Sequence, residues 1–549
     1  MRIALGQINT TVGDLSGNAA LMLRMSRRAA EAGADVVVFP ELSLIGYPPQ
    51  DLLDRPALIE QAREALEKLA VDAAPLRISI ICGTVEPVDT HEGKRIWNTA
   101  AVLCRGRVHF RQRKMLLPNY DVFDEQRYFR SAEKQELLQL GSTPIALTIC
   151  EDAWNDESFW EKRLYERDPV SELTAHGAQV LISINASPYH RDKRGLRRQI
   201  FANTARKHRI PVVYVNQVGG NDQLVFDGSS FAMDATGRVI AEAASFAEDL
   251  VIADIRTGQG DSHATLPEEP EAVYSALVLG TRDYLRKCGF SKVVLGLSGG
   301  IDSSLVACIA VEALGRENVT GIGMPGPYST EHSVTDARIM AERLGIRFEL
   351  ISINAGYQAA VDALGPVFAG TQPGVAEENI QSRLRGLTLM AYSNKFNALV
   401  LTTGNKSEIA VGYCTLYGDM CGGLAVISDV PKTLVYELCR VANARLDNAI
   451  PESVFVKPPS AELRPDQKDS DSLPEYDVLD PILKYYVEDF LTPAVIADRL
   501  NLPLALVRDV TTKVDRNEYK RQQAAPGIKV TSKAFGIGRR YPIAQRYRE

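Results

Sequence analysis

The chain has 549 residues, 45% of them hydrophobic and 24% charged, a balance that supports several folded cores and excludes a disordered chain. Sixty-two Lys and Arg against 69 Asp and Glu leave a formal charge of −7, so no nucleic-acid partner is expected, since that needs a clustered positive field. No apolar run reaches the ~20 residues of a membrane span, and the start turns polar too soon for a signal peptide, so no membrane association is expected. The eight cysteines are too few for a disulfide framework, and no two are three positions apart as in a CxxC pair. A reducing, cytoplasmic setting is expected, with one or two thiols at most engaged in chemistry.

In chain order, residues 2–8 read as a strand, and 18–32 as a helix with Leu21, Met25 and Ala29 at helical spacing and Gly33 as its stop. Residues 35–39 read as a buried strand, 58–70 as a helix and 77–83 as a strand. Further strands are predicted at 100–103, 145–150, 179–184, 211–216, 230–233 and 239–241. So many strands with few long helices predict a sheet-on-sheet core with helices outside.

Residues 257–271 are rich in Gly, Pro and acid, without periodicity, and read as a linker. Beyond them helices (272–287, 302–315, 331–344, 377–394) alternate with strands (292–297, 319–324, 347–351, 398–401). That alternation predicts a doubly wound parallel sheet, because parallel neighbours need crossovers. The polar, Pro-rich stretch 457–475 is too long for a simple connection and reads as a lid or a disordered tail.

Two sets of residues carry chemistry. In the rear half, Ser298-Gly299-Gly300-Ile301-Asp302-Ser303-Ser304 lies between a strand and a helix. Small residues let the backbone approach a ligand, and the N–H groups of the helix start face anions. The GK[ST] ending of a Walker loop is absent, so phosphate charge must be met by a metal, for which Asp302 is a natural ligand. In the front half, Cys150 ends an apolar run. Its thiol needs a lowered pKa or a neighbouring base to react at neutral pH. His176 and His190 lack a supporting pattern. Glu41 in Phe39-Pro40-Glu41 and Lys114 in Arg113-Lys114-Met115 both follow predicted strands, and would serve as base and as oxyanion-stabilising cation. Singly, each would read as a structural thiol, a strand-end carboxylate and a solvated amine; spacing alone does not bring them together.

The rear string resembles the pyrophosphatase loop of ATP-dependent enzymes that activate a carboxylate as its AMP ester. Met324-Pro325-Gly326, Glu378-Asn379-Ile380-Gln381, Thr403-Gly404-Asn405-Lys406-Ser407-Glu408, Tyr417-Gly418-Asp419 and Lys457-Pro458-Pro459-Ser460-Ala461-Glu462 follow in the order found in the NAD synthetase family. This resemblance, covering 271–549, implies a Rossmann-like sheet of the adenine nucleotide alpha hydrolase type. It implies ATP binding by Gly296, Leu297, Ser298, Gly299, Gly300, Ile301, Asp302, Ser303 and Thr403, with Mg²⁺ held by Asp302 and Glu408. It also implies deamido-NAD contacts from Asn379, Glu408 and Lys520.

The front half, 1–255, resembles the nitrilase (carbon–nitrogen hydrolase) family through Phe39-Pro40-Glu41 and Ile149-Cys150-Glu151-Asp152. That implies an αββα sandwich with Glu41, Lys114 and Cys150 as its catalytic triad, and glutamine contacts from Tyr120, Glu125, Ser187 and Lys193. With 256–270 as linker, the whole is similar to glutamine-dependent NAD synthetases. Glutamine would be hydrolysed at the front, and its ammonia used at the rear to amidate deamido-NAD adenylated by ATP, releasing AMP and pyrophosphate. A homo-oligomer is implied as well. A synthetase fed by free ammonia, with a non-catalytic front scaffold, and a nucleotide-binding regulator without turnover are the alternatives. Asparagine synthetase-like enzymes need an N-terminal cysteine, where this chain has Arg2.

Overall fold

The structure is a computed structural model that describes residues 1–88, 93–263, 265 and 269–547. The chain divides into two compact units, Met1–Glu268 and Glu269–Glu549.

The front unit begins with β1 (Arg2–Gln7), β2 (Val36–Val38), β3 (Ser79–Pro87), β4 (Ile96–Cys104) and β5 (Arg107–Arg113). It continues with β6 (Leu138–Leu140), β7 (Thr143–Ile149), β8 (Val180–Asn185), β9 (Val212–Asn216), β10 (Val218–Asn221) and β11 (Leu224–Asp227). It ends with β12 (Phe231–Met233), β13 (Val239–Glu242), β14 (Asp249–Asp254) and β15 (Gln259–Gly260). One sheet runs β15-β14-β1-β2-β3-β4-β5 and a second β13-β12-β9-β8-β7-β6, with β10 and β11 as a separate pair. Side chains alternate across each strand, so Ile3, Leu5, Val36 and Val38 of one sheet meet Ile145, Leu147, Ile182 and Ile184 of the other in one core. The outward residues Ala4, Val37 and Ile80 are covered by the helices Leu15–Glu31 and Pro56–Ala73. Leu181, Val212 and Tyr214 are covered by Pro169–Ala175 and Lys193–His208. The unit is therefore an αββα sandwich, and β1, β2, β7, β8 and β9 read as unbroken apolar runs because both of their faces are buried.

The rear unit carries β16 (Val293–Gly296), β17 (Val319–Gly323), β18 (Arg347–Leu350), β19 (Leu399–Thr402) and β20 (Leu424–Ala425) in the all-parallel order β18-β17-β16-β19-β20. The chain order thus reverses between β16 and β19, and ligands of such sheets bind beyond the carboxyl ends of the strands at that reversal.

The structure adds to the sequence reading at three places. The predicted linker is shorter than 256–270, because Gln259–Gly260 form an edge strand on β14 and the His263 N–H donates to the Glu242 carbonyl at 2.9 Å. Residues 264 and 266–268 of that linker lie outside the described residues. An unforeseen helix, Asn354–Phe368, precedes the long helix Val375–Phe396. The stretch 457–475 is tied down: Glu462 accepts from Ser333 Oγ (2.6 Å) and Lys457 Nζ (2.8 Å), Gln381 Nε2 donates to the Leu463 carbonyl (2.9 Å), and Leu473 is buried.

Candidate active sites

At the front, Glu41, Lys114 and Cys150 lie just beyond β2, β5 and β7. Lys114 is fully buried; its Nζ donates to Glu41 Oε1 at 2.7 Å and to Glu125 Oε1 and Oε2 at 2.9 and 2.7 Å. Burial alone would lower its pKa, but the charges of Glu125 and Glu41 outweigh that and hold it well above the usual lysine value. Glu41 is further fixed by Asn98 Nδ2 (2.7 Å) and by the backbone N–H of Ala186 (3.1 Å). Tyr47 OH donates to Glu125 (3.1 Å).

Cys150 stands at φ +46, a left-handed conformation that turns the chain sharply from the strand into a short 3-10 turn. Burial pushes the thiol well above its ordinary pKa; Glu41 raises it further, Lys114 pulls the other way, and Glu151 and Glu125 also raise it. The sulfur therefore shares one electrostatic environment with Glu41 and Lys114. Its proton stays on until a base removes it, and Glu41 is the carboxylate it feels most. His176 and His190 are engaged elsewhere, on the carbonyls of Glu172 and Arg191.

Of the expected glutamine contacts, Tyr120 is partly exposed and its OH donates to Glu151 at 3.0 and 3.1 Å, while Tyr165 OH reaches the same carboxylate at 3.1 Å. Lys193 Nζ lies 5.6 Å from the Trp154 ring centre and 6.0 Å from that of Phe123. Ser187 is held by Asn216 and by the buried Arg197, which pairs with Asp227 at 2.6 Å. Glu125 is buried and lies on Lys114 inside the charge cluster. Asn98, Glu151, Asp152 and Tyr165 were given no role from the sequence, although Glu151 and Asp152 stand inside the cysteine motif.

At the rear, the loop after β16 is braced from within. Ser298 Oγ lies 3.1 Å from Ser303 Oγ and accepts from the Gly300 N–H (3.2 Å), and Ser304 Oγ donates to the Gly300 carbonyl (2.8 Å). Gly299 has φ +74, and a Cβ there would lie 2.2 Å from the Ser333 carbonyl oxygen, so only glycine fits. The helix Ile301–Leu314 starts at this loop and places Asp302 in its first turn. Across the sheet's reversal, Thr403 follows β19, and Glu408 heads the short helix Lys406–Val411.

Lys432, nearly fully buried, donates to Asp302 Oδ2 and to Glu408 Oε1 (3.2 Å), while Asn405 Nδ2 holds Asp302 Oδ1 at 2.9 Å. Burial lifts the Glu408 carboxyl to about 8; Lys432 opposes this, and Asp302 and Asp469 add to it. Asn379 accepts from Thr415 Oγ1 (2.8 Å), and Lys520 Nζ donates to the carbonyls of Gly412 (2.7 Å) and Cys414 (2.9 Å). Asn379 and Lys520 thus meet at the loop that follows the helix of Glu408. Lys432 and Asp469 have no signal in the local sequence. Among the described residues no group of three or more His, Cys, Asp or Glu forms a ready metal cage. Two carboxylates bridged by an ammonium do fit Mg²⁺, which is commonly held by one or two carboxylates plus substrate phosphates.

The carbon–nitrogen hydrolase family model matches residues 2–262, and the NAD synthase model residues 273–524. A glutamine-dependent NAD(+) synthetase of Synechocystis sp. is 50% identical over 99% of both chains. One of Thermotoga maritima is 42% identical over 100% of this chain and 99% of its own. A solved glutamine-dependent NAD+ synthetase of Acinetobacter baumannii, in complex with ADP, shares 39% identity, covers 99% of this chain and 98% of its own, and superposes with a TM-score of 0.77.

Proposed function

The chain belongs to the glutamine-dependent NAD(+) synthetases, carbon–nitrogen ligases that use ATP, and from that premise we propose how its residues divide the work. The observation that carries the reading is the buried cluster in which Lys114 is hydrogen-bonded to both Glu41 and Glu125 beside the Cys150 thiol.

Glutamine enters past Tyr120. Its α-carboxylate faces the Lys193 ammonium and its α-ammonium faces Glu151, a buried anion held by two phenols, with Ser187 on the opposite wall. Glu41 takes the Cys150 proton as the sulfur attacks the side-chain amide carbon. Lys114 steadies the oxyanion, where a buried, fixed donor acts most strongly. The proton passes from Glu41 to the departing nitrogen, the C–N bond breaks and a thioester remains. Water, deprotonated by Glu41, then releases glutamate and restores the thiol.

At the rear, Ser298, Gly299, Gly300 and Ser303 receive the phosphates of ATP through backbone N–H groups and hydroxyls, beside Gly296, Leu297, Ile301 and Thr403. Asp302 and Glu408 would hold Mg²⁺, which when bound supplies charge neutralisation for the leaving pyrophosphate. Asn379, Lys520 and Glu408 orient deamido-NAD so that its carboxylate oxygen meets the α-phosphorus. Pyrophosphate leaves, ammonia attacks the acyl carbon, and AMP departs to give NAD.

We also propose a homo-oligomer in a reducing compartment. The first is supported by the apolar helix Asn354–Phe368, none of whose residues is fully buried, and by the exposed Val375, Leu387 and Phe396 on the next helix. The second is supported by the cysteine count, eight in 549 residues, too low for a disulfide framework. No described helix is long and apolar enough to cross a membrane.

The test supplies deamido-NAD, ATP, Mg²⁺ and amide-¹⁵N glutamine to the parent and to Cys150→Ala. The parent should put ¹⁵N into NAD with one AMP and one pyrophosphate each. The variant should lose glutamine-driven NAD formation by at least about 10³-fold yet keep the ammonia-driven rate. Equal loss with both nitrogen sources would sink the two-site reading.

A further inference from the structure

Asp152 lies two residues past the Cys150 thiol, and the chemistry above gives it nothing to do. It is 1% exposed. Its Oδ1 accepts from the backbone N–H groups of Met115 (3.0 Å) and Leu116 (2.7 Å), the two residues that follow Lys114. Its Oδ2 accepts from the N–H of Ile149 (3.3 Å), the residue before Cys150, and from Gln135 Nε2 (2.8 Å). The same Gln135 amide donates to the carbonyl of Arg113 (3.1 Å), the residue before Lys114. One carboxylate and its amide partner therefore touch the chain on both sides of the lysine and just ahead of the thiol.

The location makes this more than a satisfied buried acid. Lys114 leaves β5 and Cys150 leaves β7, which belong to different sheets of the sandwich. Ladder hydrogen bonds fix neighbours within a sheet, but facing sheets stand ~10 Å apart and slide unless side chains cross between them. Asp152 makes such a crossing at the level of the reacting groups. Gln112 makes another one step back, where its Nε2 donates to the Leu147 carbonyl at 3.2 Å. A side chain with four hydrogen bonds in a dry interior has one geometry. Burial lifts Asp152 to about 6 even against those donors, so the interior holds it there at an electrostatic cost.

We propose that Asp152 is a positioning residue of the glutaminase site, setting the distance and direction of Lys114 relative to the Cys150 sulfur without touching glutamine. This rests on Cys150 being the nucleophile. An ammonium that must meet a developing oxyanion tolerates little error, since a displacement of about 1 Å can lower a rate ~10²-fold.

The test is Asp152→Asn in the full chain. Asparagine keeps one oxygen for Met115 and Leu116, but turns an N–H₂ group toward the Ile149 N–H and the Gln135 amide. Glutamine turnover is resolved into kcat and KM, and ammonia-driven NAD formation in the same preparation reports on the rest of the enzyme. Iodoacetamide alkylation of the Cys150 peptide, followed by mass spectrometry across pH 8–11, reports the surroundings of the sulfur. The expected result is a kcat about 10²-fold lower with glutamine KM within about 3-fold, an unchanged ammonia-driven rate, and an alkylation midpoint moved to higher pH as the lysine charge is displaced. A kcat within about 3-fold of the parent, a loss confined to KM, or an unmoved alkylation midpoint would overturn the proposal. Should Asp152→Asn not yield soluble enzyme, Gln135→Leu decides: kcat lowered about 3- to 10-fold at constant KM supports the proposal, and unchanged kcat overturns it. Cys150→Ala separates the two layers. If it still turns over glutamine, the nucleophile reading fails; if it is inactive while Asp152→Asn is fully active, only the positioning role fails.

Discussion

The two sites reach readiness by opposite routes. At the front, the charged groups are already paired with one another: Lys114 is completely buried, and both of its carboxylates carry further donors from Asn98, Ala186 and Tyr47. On our reading glutamine presents a neutral amide to the sulfur, so the protein supplies the charges around that amide in advance, as electrostatic preorganisation requires. At the rear, the loop after β16 braces itself through hydroxyls, and Lys432 lies between Asp302 and Glu408. ATP arrives with its own charge and, on our reading, with its metal, so a fixed arrangement would oppose the ligand's own geometry. A neutral reacting group meets a finished site, and a polyanion helps to build one.

The largest departure would come from Asp302→Asn. If the rear site depends on a cation gathered by two carboxylates, this change should lower AMP release by at least about 10²-fold with glutamine and with ammonia alike. Glutamine hydrolysis without NAD formation should persist, because the front charges are untouched. Retention of ammonia-driven turnover would mean that Asp302 serves only as an acceptor for Asn405 and Lys432, and the contrast between the sites would fail.

A smaller effect separates neighbouring glycines. Gly299 holds φ +74, and an added Cβ would lie 2.2 Å from the Ser333 oxygen; Gly300 has φ −95 with its nearest neighbour, Ser298 Oγ, at 3.2 Å. The left-handed conformation alone costs an alanine about 1–2 kcal/mol, and the clash must move the start of the helix Glu331–Leu344. Gly299→Ala should therefore raise the KM for ATP by about 10-fold or more in the ammonia-driven assay, and Gly300→Ala by no more than about 3-fold. Equal effects would show that the loop adapts to its ligand more freely than its internal bracing implies.

What the sequence disclosed follows the range of the forces involved. The strands ending at Glu41 and Cys150 were legible because burial of both sheet faces leaves continuous apolar runs, with polar chemistry only where the strand stops, whereas the strand before Lys114, Arg107–Arg113, alternates exposed polar residues and carries no such run. The loop at 298–304 was legible because strand, small residues and helix start are contiguous. Lys432 was not: it meets Asp302 across 130 positions, and no local period marks it. Asp152 lay in plain view beside the thiol, yet its partners at 115 and 116 come from another sheet. The strand Gln259–Gly260 escaped because an exposed, two-residue edge is made by hydrogen bonds alone, without apolar alternation. The helix Asn354–Phe368 only half-buries Tyr357, Ala360, Val361, Leu364 and Phe368 and exposes Ala355, Ala359, Ala363 and Val367, so it lacks the clean polar face that marks a helix against its own core.

The smallest predicted effect tests whether the front site's readiness is stored as strain in buried charge. Burial lifts the Glu125 carboxyl from 4.5 to about 7; the Lys114 charge works against that rise and Glu41 adds to it. A carboxyl that holds its proton more tightly in the folded chain than in the unfolded one stabilises the fold fully below about 4.5, and loses that contribution as pH climbs through 7. Glutamine at this position keeps the shape of the protonated acid and cannot ionise. Glu125→Gln should therefore match the parent's melting temperature near pH 5 and exceed it near pH 8. Thermal unfolding of both proteins at the two pH values measures the difference directly. A gap that is the same at both, or larger at pH 5, would mean that Lys114 already meets the full electrostatic demand of its carboxylates, and that the front site is no more strained than the rear.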